Sequence, residues 1–289
     1  MSGSVNSFEF YSVTFQFRAQ DPFAFPAFLT GNVFRGALGS FLQSANPSAY
    51  GVLFGSGAPV GSTPPRPFVL RCRNLDGRSF SPRQIFSLRL NLFLPDLDLL
   101  QPLTAAFTAM GDAGFGPTRG RATLLLPPEH AWHSLRLDEP LETTRKIRVY
   151  FHTPTELKNK GEISVPGSFD VLFGQVYTRL NRLNTLYGSG EIPLNQNALR
   201  KQARSVQLSS ASISRVDVSR RGTRLGQTHP LGGYIGSADY SGDLTPFVLL
   251  LKAASFTGVG RHTVWGNGEI STERLEEFFI QAPHDDAVS

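Results

Sequence analysis

At 289 residues, with 40% hydrophobic and 18% charged side chains, the chain has material for one large domain or two small ones and lies far from disordered composition. Its formal net charge is +5 and its isoelectric point about 9.6, so where the basic residues cluster matters more than their modest excess. The single cysteine, Cys72, excludes an intramolecular disulfide and a cysteine-based metal site. We therefore expect a cytoplasmic protein, the more so because residues 1–7 do not read as a signal peptide and no run approaches the roughly 18 apolar residues of a membrane span.

In chain order, residues 8–17 alternate and are rich in aromatic and β-branched side chains, which predicts a strand. Residues 29–42 place Val33, Phe34, Ala37, Leu38, Phe41 and Leu42 at helical spacing, with Gly36 and Gly39 pointing to close packing. Strands follow at 69–72 and 86–93, a helix at 97–110, a glycine-rich stretch with Gly114, Gly116 and Gly120, and a strand at 121–126. Pro127, Pro128 and Pro140 mark a linker over 127–144. The order then repeats: a strand at 145–151, an amphipathic helix at 168–187, strands at 206–218 and 223–231, a helix at 244–254 and a last strand ending at Ile270. The tail from Pro283 reads as frayed. The fold class is therefore α+β, two tandem ferredoxin-like βαββαβ modules, divided as residues 1–135 and 136–289.

Two stretches are rich in arginine. Residues 195–225 hold Arg200, Lys201, Arg204, Arg215, Arg220, Arg221 and Arg224 against Asp217, and residues 65–90 hold Arg66, Arg71, Arg73, Arg78, Arg83 and Arg89 against Asp76. Clustered arginine is the footprint of a polyanion partner, or else a solvated surface. Near the end, Gly258, Gly260, Gly266 and Gly268 frame Arg261, His262, Thr263 and Trp265. Successive N–H groups in such a loop can form an anion-binding nest; the alternative is a hairpin turn with no ligand.

Five segments resemble a known family. Residues 29–39, LTGNVFRGALG, resemble the first-helix "RGAxG" element of CRISPR-associated RAMP proteins, and residues 46–55, NPSAYGVLFG, the "Y..LF" element after it. Residues 151–158, FHTPTELK, resemble the opening of the C-terminal module; residues 231–236, LGGYIG, and the run 258–268 resemble its closing glycine elements. Together they are similar to the Cas6 family of endoribonucleases, which cut precursor CRISPR RNA within its repeats. The resemblance implies two RRM-like modules around a basic cleft. It also implies a metal-independent cut in which the ribose 2′-OH attacks its own 3′ phosphate, leaving a 2′,3′-cyclic phosphate and a 5′-OH. A binding subunit that holds CRISPR RNA without cutting, or a structural subunit of an interference complex, stands as the alternative.

Many members of that family carry a histidine after the first helix, whereas residues 39–61 hold none. The expected catalytic residues are therefore Tyr50, Arg35 and His262: Tyr50 to orient a hydroxyl or donate a proton, Arg35 to stabilise phosphorane charge, and His262 for phosphate contact or proton transfer. Lys158, Lys160, Arg215, Arg220, Arg221, Arg224 and Arg261, with Gly258, Gly260, Gly266 and Gly268, are the expected RNA contacts, and Trp265 a base-stacking residue or a core one. His130 and His133 fall in the linker and His284 in the tail; His152 sits at a strand end, and His229 precedes Pro230 in the basic hairpin. No histidine pair has a metal-ligand spacing, so no cofactor is expected. The implied partners are CRISPR repeat RNA and other CRISPR effector subunits, with the protein a monomer or homodimer.

Overall fold

The computed structural model describes residues 7–55, 64–139, 141–159, 162–164, 167–221 and 228–275. The first unit comprises β1 (Ser7–Ala19), β2 (Phe23–Ala24), α1 (Thr30–Ala45), α2 (Pro47–Phe54), β3 (Phe68–Arg71), β4 (Ser79–Phe80), β5 (Ile85–Leu92), α3 (Leu100–Ala113) and β6 (Ala122–Arg136). The second comprises β7 (Lys146–Thr155), β8 (Leu157–Asn159), β9 (Glu162–Ser164), α4 (Phe169–Tyr187), α5 (Gln196–Ala203), β10 (Gln207–Val216), β11 (Ser219–Arg221), β12 (Thr228–Pro230), β13 (Gly233–Ser241), α6 (Val248–Thr257) and β14 (Ile270–Arg274). Each unit is built on a four-stranded antiparallel sheet, ordered β3-β5-β1-β6 and β10-β13-β7-β14. In both, the first strand lies between the third and the fourth, which is the ferredoxin-like arrangement. Small ladders β2-β4, β8-β9 and β11-β12 decorate them.

Alternation along β1 explains the first core. Val13, Phe15 and Phe17 point to one face, where Phe34, Leu38 and Leu42 of α1 and Leu103, Phe107 and Met110 of α3 cover them. On the other face Phe8 and Phe10 are also buried, because the second unit covers that end: the rings of Phe10 and Phe256 lie 4.8 Å apart.

The units meet at the C-terminal end of α6. A helix leaves its last carbonyls without internal donors and concentrates negative partial charge there. Here Ser255 O accepts from Arg71 Nη2 (2.9 Å), Phe256 O from Asn91 Nδ2 (3.0 Å) and Thr257 O from Arg179 Nε (3.0 Å). Arg71 and Asn91 come from the first sheet and Arg179 from α4, so three buried donors pin both units to one helix end.

Four readings of the sequence need correction. The segment read as a linker, 127–144, is strand as far as Arg136. Proline cannot donate to a ladder, but β6 is an edge strand, and Leu126, Pro127 and Pro128 are accommodated in a bulge between the Thr14 and Gln16 pairings. His130 and His133 are thus strand residues, and the His133 ring stacks on Phe10 at 4.8 Å. The third strand of the second sheet is β13, not 223–231; its Gly233, Gly236 and serines conceal an inward pair, Ala238 and Tyr240. Ile270 begins the last strand rather than ending it, and α5 lies where no helix was read.

Candidate nucleic-acid interface

The glycine-rich run is the connection from α6 to β14, and each of its glycines answers to a steric need. Gly258, Gly260, Gly266 and Gly268 have φ of 73°, 79°, 82° and 68°, where a side chain is strained. A Cβ on Gly260 would stand 2.3 Å from the Glu156 carbonyl oxygen, and one on Gly268 would stand 1.9 Å from that of Val259. Part of the loop's backbone is engaged in internal hydrogen bonds. Its N–H groups at Val259, Arg261, Trp265, Gly266 and Gly268 donate to Gly268 O, Glu156 O, His262 O, Thr263 O and Pro154 O. The glycines serve close backbone packing.

That packing crosses the joint. In α1, a Cβ on Gly31 would fall 1.8 Å from Trp265 O, and a Cβ on Gly266 would lie 3.2 Å from Leu70 O of β3. The first-helix element and the closing glycine run, far apart in sequence, are thus in direct contact. A row of planar groups runs through the contact. His262, held in the left-handed region at φ 59°, stacks on Trp265 with centroids 4.7 Å apart and planes 5° apart. The Arg35 guanidinium lies 5.8 Å from the Trp265 ring and 5.2 Å from that of Phe54, and Phe54 stacks on Tyr50 at 5.3 Å. The structure therefore aligns His262, Arg35 and Tyr50 in one row.

Beside it opens a cleft of 740 Å³. Its cationic lining is Arg35, Arg66, Lys158, Arg179, Arg182 and Arg261, with His262 and Trp265 in the same wall and no carboxylate among the described residues. Tyr50 stands behind Phe54, outside that wall. Lys158, Gln175 and Thr178 also line an adjoining groove, where they meet Arg200, Arg204 and one carboxylate, Asp170. The basic surface thus continues along α4 toward α5.

Burial and neighbouring cations set the electrostatics of this wall. Arg179 has its pKa pushed down to about 9, chiefly by burial and then by Arg71 and Arg182, and it remains charged at neutral pH. Its Nη2 is buried with no hydrogen-bond partner. His262 is pushed down to about 4, first by burial and then by the Arg261 charge, so the ring is neutral at pH 7. Glu156, 5% exposed, lies beneath both: its Oε2 accepts from Arg261 Nη1 at 2.8 Å and stands 3.9 Å from His262 Nε2.

Of the other expected contacts, Arg215 on β10 is exposed and paired with Asp217 at 2.8 Å, away from the cleft wall. Arg220 and Arg221 lie on the short hairpin strand β11. Lys160 and Arg224 fall outside the described residues. Sequence reasoning missed Arg179, Arg182 and Glu156. Arg179 and Arg182 border the apolar stripe of α4 at a spacing of three, which puts both on one helix edge. Glu156 lies inside the FHTPTELK element and was quoted only as part of it. Among the described residues, no group of three or more His, Cys, Asp or Glu is placed to hold a metal ion, and no helix is long and apolar enough to cross a membrane.

Residues 149–270, which hold the second sheet's core strands, Glu156, Arg179 and the whole glycine-rich loop, match the model of the family described as CRISPR-associated endoribonuclease Cas6. The second unit is thus similar to the Cas6 family. A second family model, described as an N-terminal domain, matches residues 8–126. Among solved structures, a Cas6 product complex is 16% identical, with 92% of this chain and 100% of that chain covered at a TM-score of 0.59. A Thermus thermophilus Cas6 is 16% identical over 92% of this chain and 99% of that one, with a TM-score of 0.58. A chain of a partial Cas6-RT-Cas1–Cas2 complex is 12% identical over 92% of this chain and 46% of that one, with a TM-score of 0.56. At these identities the likeness is one of fold. No curated protein matches the chain. Within this Cas6 fold, the joint between the two ferredoxin-like units is where α1, α4 and the glycine-rich loop converge on the basic cleft.

Proposed function

We propose that this protein cuts CRISPR repeat RNA in the cleft at the joint between its two units, without a metal ion, by attack of a ribose 2′-OH on the adjacent phosphate. One observation carries the reading: Arg35 from the first helix and Arg261 and His262 from the last loop share one wall with Arg66, Lys158, Arg179 and Arg182. A phosphodiester entering that wall meets arginine donors in a partly desolvated site, where charge developing on the phosphorane is stabilised most. Arg179, with an unpartnered buried Nη2, is already oriented by Thr257 O and loses little freedom on taking up a phosphate oxygen.

His262 serves as the base. Its neutral ring takes the 2′-OH proton as the oxygen bonds to phosphorus. The bond from phosphorus to the 5′ oxygen then breaks, and that oxygen leaves with a proton from solvent, giving the cyclic phosphate and the 5′-OH. Selectivity for RNA over DNA follows, because DNA lacks the attacking hydroxyl. The adjoining groove with Arg200 and Arg204 extends the phosphate track, which supplies affinity and salt dependence rather than base readout. Tyr50 acts at a distance, by supporting Phe54 beneath Arg35. The test is incubation of the purified protein with its repeat RNA in EDTA. We expect a single cut ending in a 2′,3′-cyclic phosphate, and no cut when a 2′-deoxy residue precedes the scissile phosphate. Tight binding with no product would make it a non-cleaving CRISPR RNA-binding subunit.

A further inference from the structure

We infer that Glu156 is a positioning residue for the reaction: its buried carboxylate fixes Arg261 and holds the imidazole of His262 from behind, so that the opposite ring nitrogen meets the 2′-OH. This rests on the reading of His262 as the base.

Glu156 sits at the turn from β7 into β8, and its backbone and side chain hold the same tripeptide. Its carbonyl accepts the Arg261 N–H at 3.1 Å and lies against Gly260, while its Oε2 accepts from Arg261 Nη1. The residue therefore fixes both ends of Arg261 and, through the next peptide, the left-handed backbone of His262. A buried carboxylate at 5% exposure is costly unless it is paired, and this one is paired with Arg261 of the cleft wall.

The His262 ring supplies the second half. Nε2 is buried and has no hydrogen-bond partner. An enclosed polar atom without a partner calls for a reason. The carboxylate facing it is Glu156, 3.9 Å away, one short movement from a hydrogen bond. With Nε2 enclosed, Nδ1 is the nitrogen left to meet a substrate. The arrangement has the logic of a base oriented by an acidic partner on its far nitrogen: the partner selects the tautomer and stabilises the cation formed when the base takes its proton. Such contacts are often long in the empty site and tighten when substrate binds. The other charged residues that line the cleft, among the described residues, are all positive: Arg261 on its own loop, Arg35 on α1 across Trp265, Arg179 and Arg182 on α4, Lys158 on β8, and Arg66. Without Glu156 they would oppose the imidazolium, whereas a negative group 4–6 Å away favours it.

The experiment compares wild type, Glu156→Gln, His262→Ala and the double variant in single-turnover cleavage of the repeat RNA across pH, with affinity measured on 2′-deoxy RNA that cannot be cut. Glutamine keeps an oxygen for Arg261 and removes the charge. We expect Glu156→Gln to cut about 10²-fold more slowly with affinity within threefold of wild type. The acidic limb of its rate profile should move to lower pH by roughly one unit, since the ring loses its negative neighbour. In the His262→Ala background the Glu156 change should cost little more, because the two act as one unit. If Glu156→Gln unfolds, wild type bound to 2′-deoxy RNA is read by nitrogen-15 NMR, and the account requires His262 to carry its proton on Nε2. A wild type that does not cut, or a His262→Ala that cuts at the full rate, removes the underlying reading. A disabled His262→Ala beside a Glu156→Gln of unchanged rate and pH profile, or a ring protonated on Nδ1, overturns this inference alone.

Discussion

The two units share one topology, and each follows its last helix, α3 or α6, with a glycine-rich turn, yet the turns do opposite work. In the first unit Gly114 and Gly116 take φ of 84° and 68°, and Phe115 between them is 2% exposed, with its ring 5.4 Å from Phe17 and 5.2 Å from Phe34. That turn closes its own core. In the second unit the same place in the fold holds Arg261, His262 and Trp265, and the turn leans out of its own sheet onto α1 and β3 of the first. The first module supplies a rigid aromatic body and two guanidinium groups, Arg35 and Arg66; the second carries most of the charge and the candidate base. Duplicate scaffolds can thus divide support from chemistry by the residues set into one equivalent loop.

The difference can be tested by damaging each turn. Phe115→Ala opens a cavity among packed rings and should lower stability by about 3–5 kcal/mol, read by chemical unfolding, while the fraction still folded keeps its RNA affinity. Gly31→Ala strikes the contact between the units. It should cost about 1–3 kcal/mol and depress cleavage more than a core change of equal stability cost, because it displaces Trp265 and with it His262. Arg179→Gln should weaken binding to uncleavable RNA and reduce the slope of log affinity against log salt by about one, as loss of one phosphate contact requires.

The pH response carries a definite sign. The folded-state pKa of His262, about 4, lies below its ordinary 6.5, so as the pH falls the unfolded chain takes the proton first. Stability owed to the neutral buried ring is intact above pH 6.5, drains away between 6.5 and 4, and falls no further below. His262→Phe should flatten that part of the stability profile in the free protein. The smallest effect belongs to Arg215, exposed and paired with Asp217: Arg215→Ala should change RNA affinity by no more than about twofold.

How far the sequence could be read follows the same division. The phenylalanine-rich first unit is patterned so strongly, in β1 and α1 above all, that its elements stand out from periodicity. The prolines at 127 and 128 misled because strand character survives at an edge where a bulge absorbs them. β13 was hidden because a central strand with glycines and serines buries only Ala238 and Tyr240 deeply among its larger side chains. At the site, Arg35, Arg261 and His262 were legible from the company they keep in their motifs. Glu156, Arg179 and Arg182 were not, since each sits within a segment whose pattern speaks of backbone or core, and only the fold brings Arg179 and Arg182 into the cleft wall with Glu156 behind it. Glycine spacing reports the backbone freedom that the positive φ of these residues uses, but not where the amides point.

The central claim is that His262, at the joint of the two units, is the base that cuts RNA. Its most direct test is single-turnover cleavage of the repeat RNA in EDTA by wild type and His262→Ala, with affinity for 2′-deoxy RNA measured in parallel. The account predicts a cyclic-phosphate product from wild type and a rate at least about 10²-fold lower for the variant, at matched affinity. Equal rates from the two proteins would contradict it.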